Sequence, residues 1–468
     1  MKTSNARVLR ETETKLPGIV YKILRVFTVI HPGEGLTVFL LTLNVFLLLA
    51  AYYIIKPVRD ALMLDSWPAE IKSYLGAAIA VFLIFVVKIF SNLASRFPRQ
   101  KLITWVTLFF ISNLGLFYIL HLSGVGPGTM GIIFFIWAGI FNLIIIAQFW
   151  GFASDLYSEE EGKRLFPIVA FGATFGGFAG GKITGWLVVP LGRFQLMLLA
   201  GGILGICILF TWIIHRREIK RADHKATKVS QGEESRKEEQ EKPLEKGGAF
   251  RLVFKSRYLL YLAFFVLLLN FVNTNGVYML DTVAKSAAIK AVETGTAAGL
   301  DQGQFLTKFF AGFYNIMNLF AMFVQLFVVS RIFKWFGVRA AIFFLPALAL
   351  GGYFFISLGA YLLLVKWVKA VENGIDYSLM NTTRHSLFLI TSREEKYKAQ
   401  AVTKTFFHRS GDVLSAGLVF LGTTYLAFKV ENFAIVNIAL VFIWITLGIL
   451  IAKEHKKLSA QRTAYRVE

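Results

Sequence analysis

Apolar residues arrive in long blocks along this chain. Leu36–Ala51 reads LTVFLLTLNVFLLLAA without a charge, and comparable stretches recur almost to the C-terminus. At about 1.5 Å of rise per helical residue, roughly 20 such residues cross a hydrocarbon core of about 30 Å. The pattern predicts twelve helices, over 36–63, 72–94, 102–122, 130–154, 166–190, 195–214, 258–280, 305–330, 340–358, 360–390, 401–428 and 433–452. Lipid cannot satisfy backbone polar groups, so repeated spans of this kind predict an all-α polytopic membrane protein.

One segment breaks the pattern. RREIKRADHKATKVSQGEESRKEEQEKPLEKGG, within 216–257, is charged, has low complexity and shows no apolar face; it reads as a linker. The predicted order is an N-terminal arm (1–35), a six-helix bundle (36–215), the linker (216–257), a second six-helix bundle (258–452) and a tail (453–468). Two sixes around a linker suggest parallel bundles related by an axis along the membrane normal.

Charge then orients the chain. It carries 50 Lys and Arg against 29 Asp and Glu, a net +21. In a soluble protein that surplus would suggest nucleic acid. Here the chain is 56% hydrophobic, and its bases gather in alternate loops such as SRFPRQK, SRIFKWFGVR and SREEKYK. Intervening loops such as SGVGPGTM are nearly free of positive charge. The expected partner is therefore the lipid bilayer and not nucleic acid, with both termini and the linker in the cytoplasm. The single cysteine, Cys207, excludes an internal disulfide. Seven scattered histidines show no metal spacing, and no Gly-Lys-Ser/Thr loop is present. No metal, cofactor or ATP-driven pump is expected.

Charges inside apolar helices cost roughly 2.5–3.5 kcal/mol each at the bilayer centre, so they usually face a cavity or a partner. Lys56, Arg59 and Asp60 surround Pro57 in the first helix. They either snorkel at a helix end or line a cavity, and the low positive charge expected on that side favours the cavity. Pro57 also frees a carbonyl, as at broken helices near binding sites. In the tenth helix, Lys366, Lys369, Glu372, Asn373, Asp376 and Arg384 fall within a stripe about 120° wide. That stripe is one wet face or a set of internal salt bridges; the latter would leave Arg384 without a partner. The eleventh helix carries Lys404, His408, Arg409 and Asp412, with Arg409–Asp412 at intrahelical ion-pair spacing. Asn270, Asn273 and Asn275 could meet a substrate or bond between helices. Gly172, Gly176 and Gly180 fit close helix packing, with a gating role as the sharper reading.

Two internal echoes connect the halves. SNLASRFPRQK and SRIFKWFGVR follow the second and eighth helices. Both loosely resemble the Gly-x-x-x-Asp-Arg-x-Gly-Arg loop of the major facilitator superfamily, with Ser95 and Lys334 at the Asp position. YYIIKPVRDALML (52–64) and YSLMNTTRHSLFL (377–389) superpose on a Tyr, an Arg and two leucines. A major-facilitator-like bundle would bring these two segments face to face across a central cavity.

A narrower resemblance covers almost the whole chain. KPVRDALML resembles the Arg/Lys-x-x-Lys/Arg-Asp-x-Leu segment of the bacterial and plastid ATP/ADP translocases. FWGFAS with KRLFPIVAFGATFGG is similar to that family's junction between helices four and five, and EEKYKAQAVTKTFFHRSGD to its eleventh helix. The resemblance implies a twelve-helix major-facilitator-like fold, a bacterial inner membrane, nucleotide exchange, and Arg59 at a basic position associated with transport. The chain departs from the family at three charged positions. Apolar IWAGIF stands where exchangers have a glutamate in helix four, Gln304 or Phe305 where one begins helix eight, and Asp412 where a lysine is expected.

Together these features predict a secondary transporter, not an enzyme, acting as a monomer on an anionic, phosphorylated solute with ATP/ADP-type exchange foremost. Its substrate-binding residues are expected to be Lys56, Arg59, Asp60, Asn273, Lys369, Asn373, Asp376, Arg384, Arg409 and Asp412. A proton-coupled carrier of a non-nucleotide organic anion is the alternative. A lipid-carrier transferase and a non-transporting scaffold are weaker readings, because the predicted outside loop 281–303 lacks an Asp- or His-rich motif.

Overall fold

The computed structural model describes residues 34–157, 159–229, 248–392 and 395–464. They form α1 (Gly35–Ser66), α2 (Ala69–Arg96), α3 (Arg99–Leu122), α4 (Pro127–Leu156), α5 (Glu159–Leu191) and α6 (Arg193–Val229). After a short α7 (Ala249–Lys255) come α8 (Arg257–Glu293), α9 (Gln302–Trp335) and α10 (Gly337–Leu358). Then follow α11 (Leu362–Ile375), α12 (Asn381–Leu387), α13 (His408–Thr424) and α14 (Val430–Ala464). No strand occurs among the described residues.

Ten described helices are long and apolar enough to cross a membrane. The tenth and eleventh predicted spans are helical too, but wide π-helical turns interrupt them. Asp376–Met380 joins α11 to α12, and Thr403–Phe407 leads into α13. The expected all-α polytopic architecture is therefore present.

Three helix ends run well past expectation, one of them the twelfth span, helical to Ala464. The sixth helix runs on to Val229, because RREIKRADHKATKV is rich in helix formers and no Gly or Pro intervenes before Gly232. The remainder of the predicted linker, 230–247, lies outside the described residues, as do the arm through 33 and the tail beyond 464. The predicted loop 281–303 is instead helical to Glu293, burying Asp281, Ala284 and Ala288 along one face. Gln304, at the position compared with a translocase glutamate, belongs to a capping box. Asp301 accepts from its backbone N–H at 2.7 Å, and its side chain accepts from the Asp301 N–H at 3.2 Å.

By contact, the described chain forms two compact units. One takes the described parts of Met1–Lys56, Val87–Val125 and Ala138–Glu239; the other takes Pro57–Val86, Gly126–Trp137 and the described parts of Gln240–Glu468. The chain thus passes between units within α1, α2 and α4, in the turn before α4, and again between 239 and 240 in the charged segment after α6.

In the first unit α5 lies against α1 with no room for side chains. A Cβ at Gly172, Gly176 or Gly180 would strike the backbone at Thr42, Phe46 or Ala50 respectively. Both series advance by four residues, which is the register of two helices packed ridge to ridge. Close packing accounts for these glycines. The Tyr53 carbonyl, left without its helical donor by Pro57, sits 3.4 Å from the Thr184 hydroxyl of α5. In the second unit α8 is the central element, packed by α9, α11, α13 and α14.

Candidate functional site

The charges flanking Pro57 part company in the structure. Lys56 belongs to the first unit, its ammonium 5.3 Å from the Tyr53 ring and 5.8 Å from that of Tyr52. Arg59 and Asp60 belong to the second and open a buried ionic network. Asp60, fully buried, accepts from Arg59 Nε at 3.0 Å and from Arg59 Nη2 at 2.6 Å, both at Oδ1. Lys72 Nζ of α2 lies 3.2 Å from the same oxygen and 2.8 Å from Asp281 Oδ1 of α8. The Tyr314 hydroxyl of α9 donates to Asp60 Oδ2 at 2.6 Å. Two cations and two carboxylates offset one another, which is how buried charge becomes tolerable in a membrane helix. Rings sit beneath both cations, Phe135 at 4.9 Å from the Arg59 guanidinium and Phe310 at 5.1 Å from Lys72.

Further bonds fasten the same segment. Tyr278 donates to Glu70 at 3.1 Å, Lys285 to the Trp67 carbonyl at 2.7 Å and Gln302 to the Asp65 carbonyl at 3.2 Å. They explain why 57–86 clusters with α8 and α9 in one compact unit.

A second ionic site lies within the bundle around α8. Lys369 of α11 has no exposed surface; its ammonium donates to Glu372 at 2.8 Å, Asn273 Oδ1 at 2.8 Å and the Asn273 carbonyl at 3.2 Å. Tyr353 donates to the same Glu372 oxygen at 2.8 Å. Gly276 makes the space, since a Cβ there would collide with the Tyr353 hydroxyl and with Lys369. Of the two readings of the α11 stripe, the internal ion pair is the one formed at Lys369. Asn373 is buried on the same helix.

A third site joins α8 to α13. Asp412 Oδ1 accepts from Asn270 and Thr274, each at 2.8 Å, while Arg409 reaches Oδ2 at 3.2 Å. Asn275 donates to Asn437 at 2.6 Å, an interhelical bond. Arg384, expected to lack an intrahelical partner, has one: its Nη2 lies 3.2 Å from Asp376 Oδ1. The wide turn between α11 and α12 shifts the helical phase and lets residues eight apart meet. Arg59 and Arg384 therefore occupy separate ion pairs.

The structure thus brings together Arg59 with Asp60, Asn273 with Lys369, Asp376 with Arg384, and Arg409 with Asp412. Sequence reasoning missed Lys72, Asp281 and Tyr314. Lys72 and Asp281 stand near predicted helix ends, where charge is ordinary. Only their tertiary contacts distinguish them, Lys72 reaching both Asp60 and Asp281.

An all-helical membrane protein whose spans hold several compensated charge pairs has the character of a solute transporter rather than an anchor. The model of the Major Facilitator Superfamily matches residues 36–407, and the chain belongs to that superfamily. It is a multi-pass, non-enzymatic membrane transporter. Among solved structures it is similar to a bacterial homologue of the human lysosomal transporter Spinster, inward-facing and unoccupied. That match has 14% identity and a TM-score of 0.57 over 92% of this chain and 99% of the other. The nucleoside transporter NupG matches at 12% identity and TM-score 0.58, over 90% and 98% of the two chains. A POT family transporter in complex with 5-aminolevulinic acid matches at 14% and 0.59, over 90% and 96%. Identities this low establish the fold alone. No curated protein sequence matches the chain.

Proposed function

We propose that the protein is a secondary transporter of an anionic, phosphorylated solute, with nucleotide exchange of the ATP/ADP type as the leading case. The observation that carries this reading is the oversupply of Asp60. One buried carboxylate takes Arg59, Lys72 and Tyr314 at once. Arg59 keeps 15% of its side chain exposed and can turn to an incoming anion while Asp60 stays partnered by Lys72 and Tyr314. A guanidinium in that position offers a phosphate or carboxylate two parallel N–H donors. The resemblance of KPVRDALML to the nucleotide translocases points to the same residue.

Transport proceeds by alternating access between two six-helix halves, 36–215 and 258–452, joined by the 216–257 segment. The protein works as a monomer in a bacterial inner membrane, with both termini cytoplasmic. Asp376, Arg384, Arg409 and Asp412 from the C-terminal half complete the ligand environment, with Lys56, Asn273, Lys369 and Asn373 around them.

Uptake of labelled ATP into proteoliposomes, preloaded or not with unlabelled ADP, tests the reading. Internal nucleotide should stimulate uptake. Arg59→Lys, which keeps charge but loses the fork, should weaken apparent affinity more than tenfold, as expected for one lost charge-assisted bond of about 1.5–3 kcal/mol. Uptake that ignores both internal nucleotide and Arg59 refutes it.

A further inference from the structure

The ionic networks leave two buried carboxamides on α9 without a role. Asn315 keeps 8% of its surface exposed and Asn318 6%. Among the described residues, Asn315 Oδ1 and Asn318 Nδ2 have no hydrogen-bond partner and are shut off from solvent. Elsewhere in the same unit Asn270, Asn273 and Asn437 are bonded across helices. Most buried polar atoms find such partners, and one that does not calls for an explanation.

Their place on the helix supplies one. From Gln302 to Phe323 α9 is a regular helix. At about 100° per residue, Asn318 lies about 40° around from Tyr314 and one turn, about 6 Å, along the axis. Asn315 lies about 100° from Tyr314, so one face holds all three. The other side of α9 meets α11, where a Cβ at Gly374 would strike the Phe320 ring. Phe320 is about 160° around from Asn318 and about 140° from Asn315. The amides thus share the face of Tyr314, whose hydroxyl donates to Asp60, the carboxylate that pairs with Arg59. A carboxamide offers an acceptor oxygen and a donor nitrogen. Turned either way, the two present both kinds of group and no net charge. Leaving them unbonded is costly, so an occupant that bonds both is favoured.

We propose that Asn315 and Asn318 recognise an uncharged donor–acceptor edge on the transported solute, of the kind a nucleobase carries, while Arg59 takes its phosphate. The inference rests on the anion-transport reading and deepens it. Phosphate is common to many solutes, whereas a site that bonds such an edge rejects analogues lacking it, because its buried polar groups are then left unpaired.

The test uses full-length purified protein. ADP and inorganic pyrophosphate, which has the phosphates but no base, are titrated separately at constant ionic strength. The thermal unfolding midpoint is followed, because a ligand of the native state raises it by mass action. The wild type should bind ADP more tightly than pyrophosphate. Asn315→Leu and Asn318→Leu, close in size to the native residues, should each weaken ADP roughly tenfold and leave pyrophosphate unchanged. A merely structural role would instead move both ligands together, along with the midpoint of the ligand-free protein. ADP bound no more tightly than pyrophosphate by the wild type overturns the proposal without reference to any variant. Equal weakening of both ligands in the leucine variants, or of neither, also overturns it. If pyrophosphate binding is then still lost in Arg59→Lys, the anion-transport reading survives without this pair. Selective loss of ADP in the leucine variants, with Arg59→Lys indifferent to both ligands, supports the amide pair and refutes the role of Arg59. No response to either ligand overturns both.

Discussion

Replacing Lys369 by methionine removes a cation that has no surface exposure and three polar contacts. Among the described residues Glu372 then keeps the Tyr353 hydroxyl, at 2.8 Å, as the donor to its carboxylate, in an interior with little water to compensate. Breaking a buried pair from one side costs about 3–5 kcal/mol, because the surviving charge is left uncompensated. The companion change Glu372→Leu removes that charge. The double variant still leaves Asn273 Oδ1 short of a donor, a loss of about 1–3 kcal/mol, so it should be more stable than Lys369→Met alone. Unfolding of purified protein in one detergent, followed by tryptophan fluorescence, gives the comparison as a double-mutant cycle. Lys369→Met within about 1 kcal/mol of wild type, or a double variant no more stable than either single one, refutes the argument. Nucleotide exchange by the same proteins separates lock from ligand site. A purely structural pair lets the double variant recover transport with stability, whereas a substrate contact leaves it stable and inactive.

Gly176→Ala should push α1 and α5 apart at the Phe46 carbonyl and destabilise by about 1–3 kcal/mol, as overpacking does. By contrast Gly185→Ala, with open space around its Cβ position, should be neutral or better in the same unfolding assay. Lys72→Met strips a cation from both Asp60 and Asp281, so it should cost more stability than Lys72→Met combined with Asp281→Leu; equal losses would dissolve the network. In a Cys207→Ser background, cysteines at Ser230 (outside the described residues) and Thr296 should react with impermeant thiol reagents from opposite sides of the membrane. Labelling from one side refutes the orientation read from the basic loops.

Periodicity and composition determined the architecture of this protein by themselves. Twenty-odd apolar residues have one way to satisfy their backbone in lipid, and the twelve predicted segments are all helical. Local spacing also sufficed for Arg409–Asp412 and for the packing glycines of α5, because both depend on neighbours along one helix or on a missing side chain. Partner choice across the chain was another matter. Asp60 and Asp281 are 221 positions apart, yet Lys72 bridges them, and nothing sets Lys72 apart from other charges near helix ends or Tyr314 from other tyrosines within a span. The Arg384–Asp376 pair needed a wide turn that hydropathy cannot register, since its sequence DYSLM is as compatible with an ordinary helix. Where helices run follows from how each segment meets lipid, a property of the segment alone. Which charges offset one another follows from which helices pack, and only the tertiary structure brings those side chains within reach.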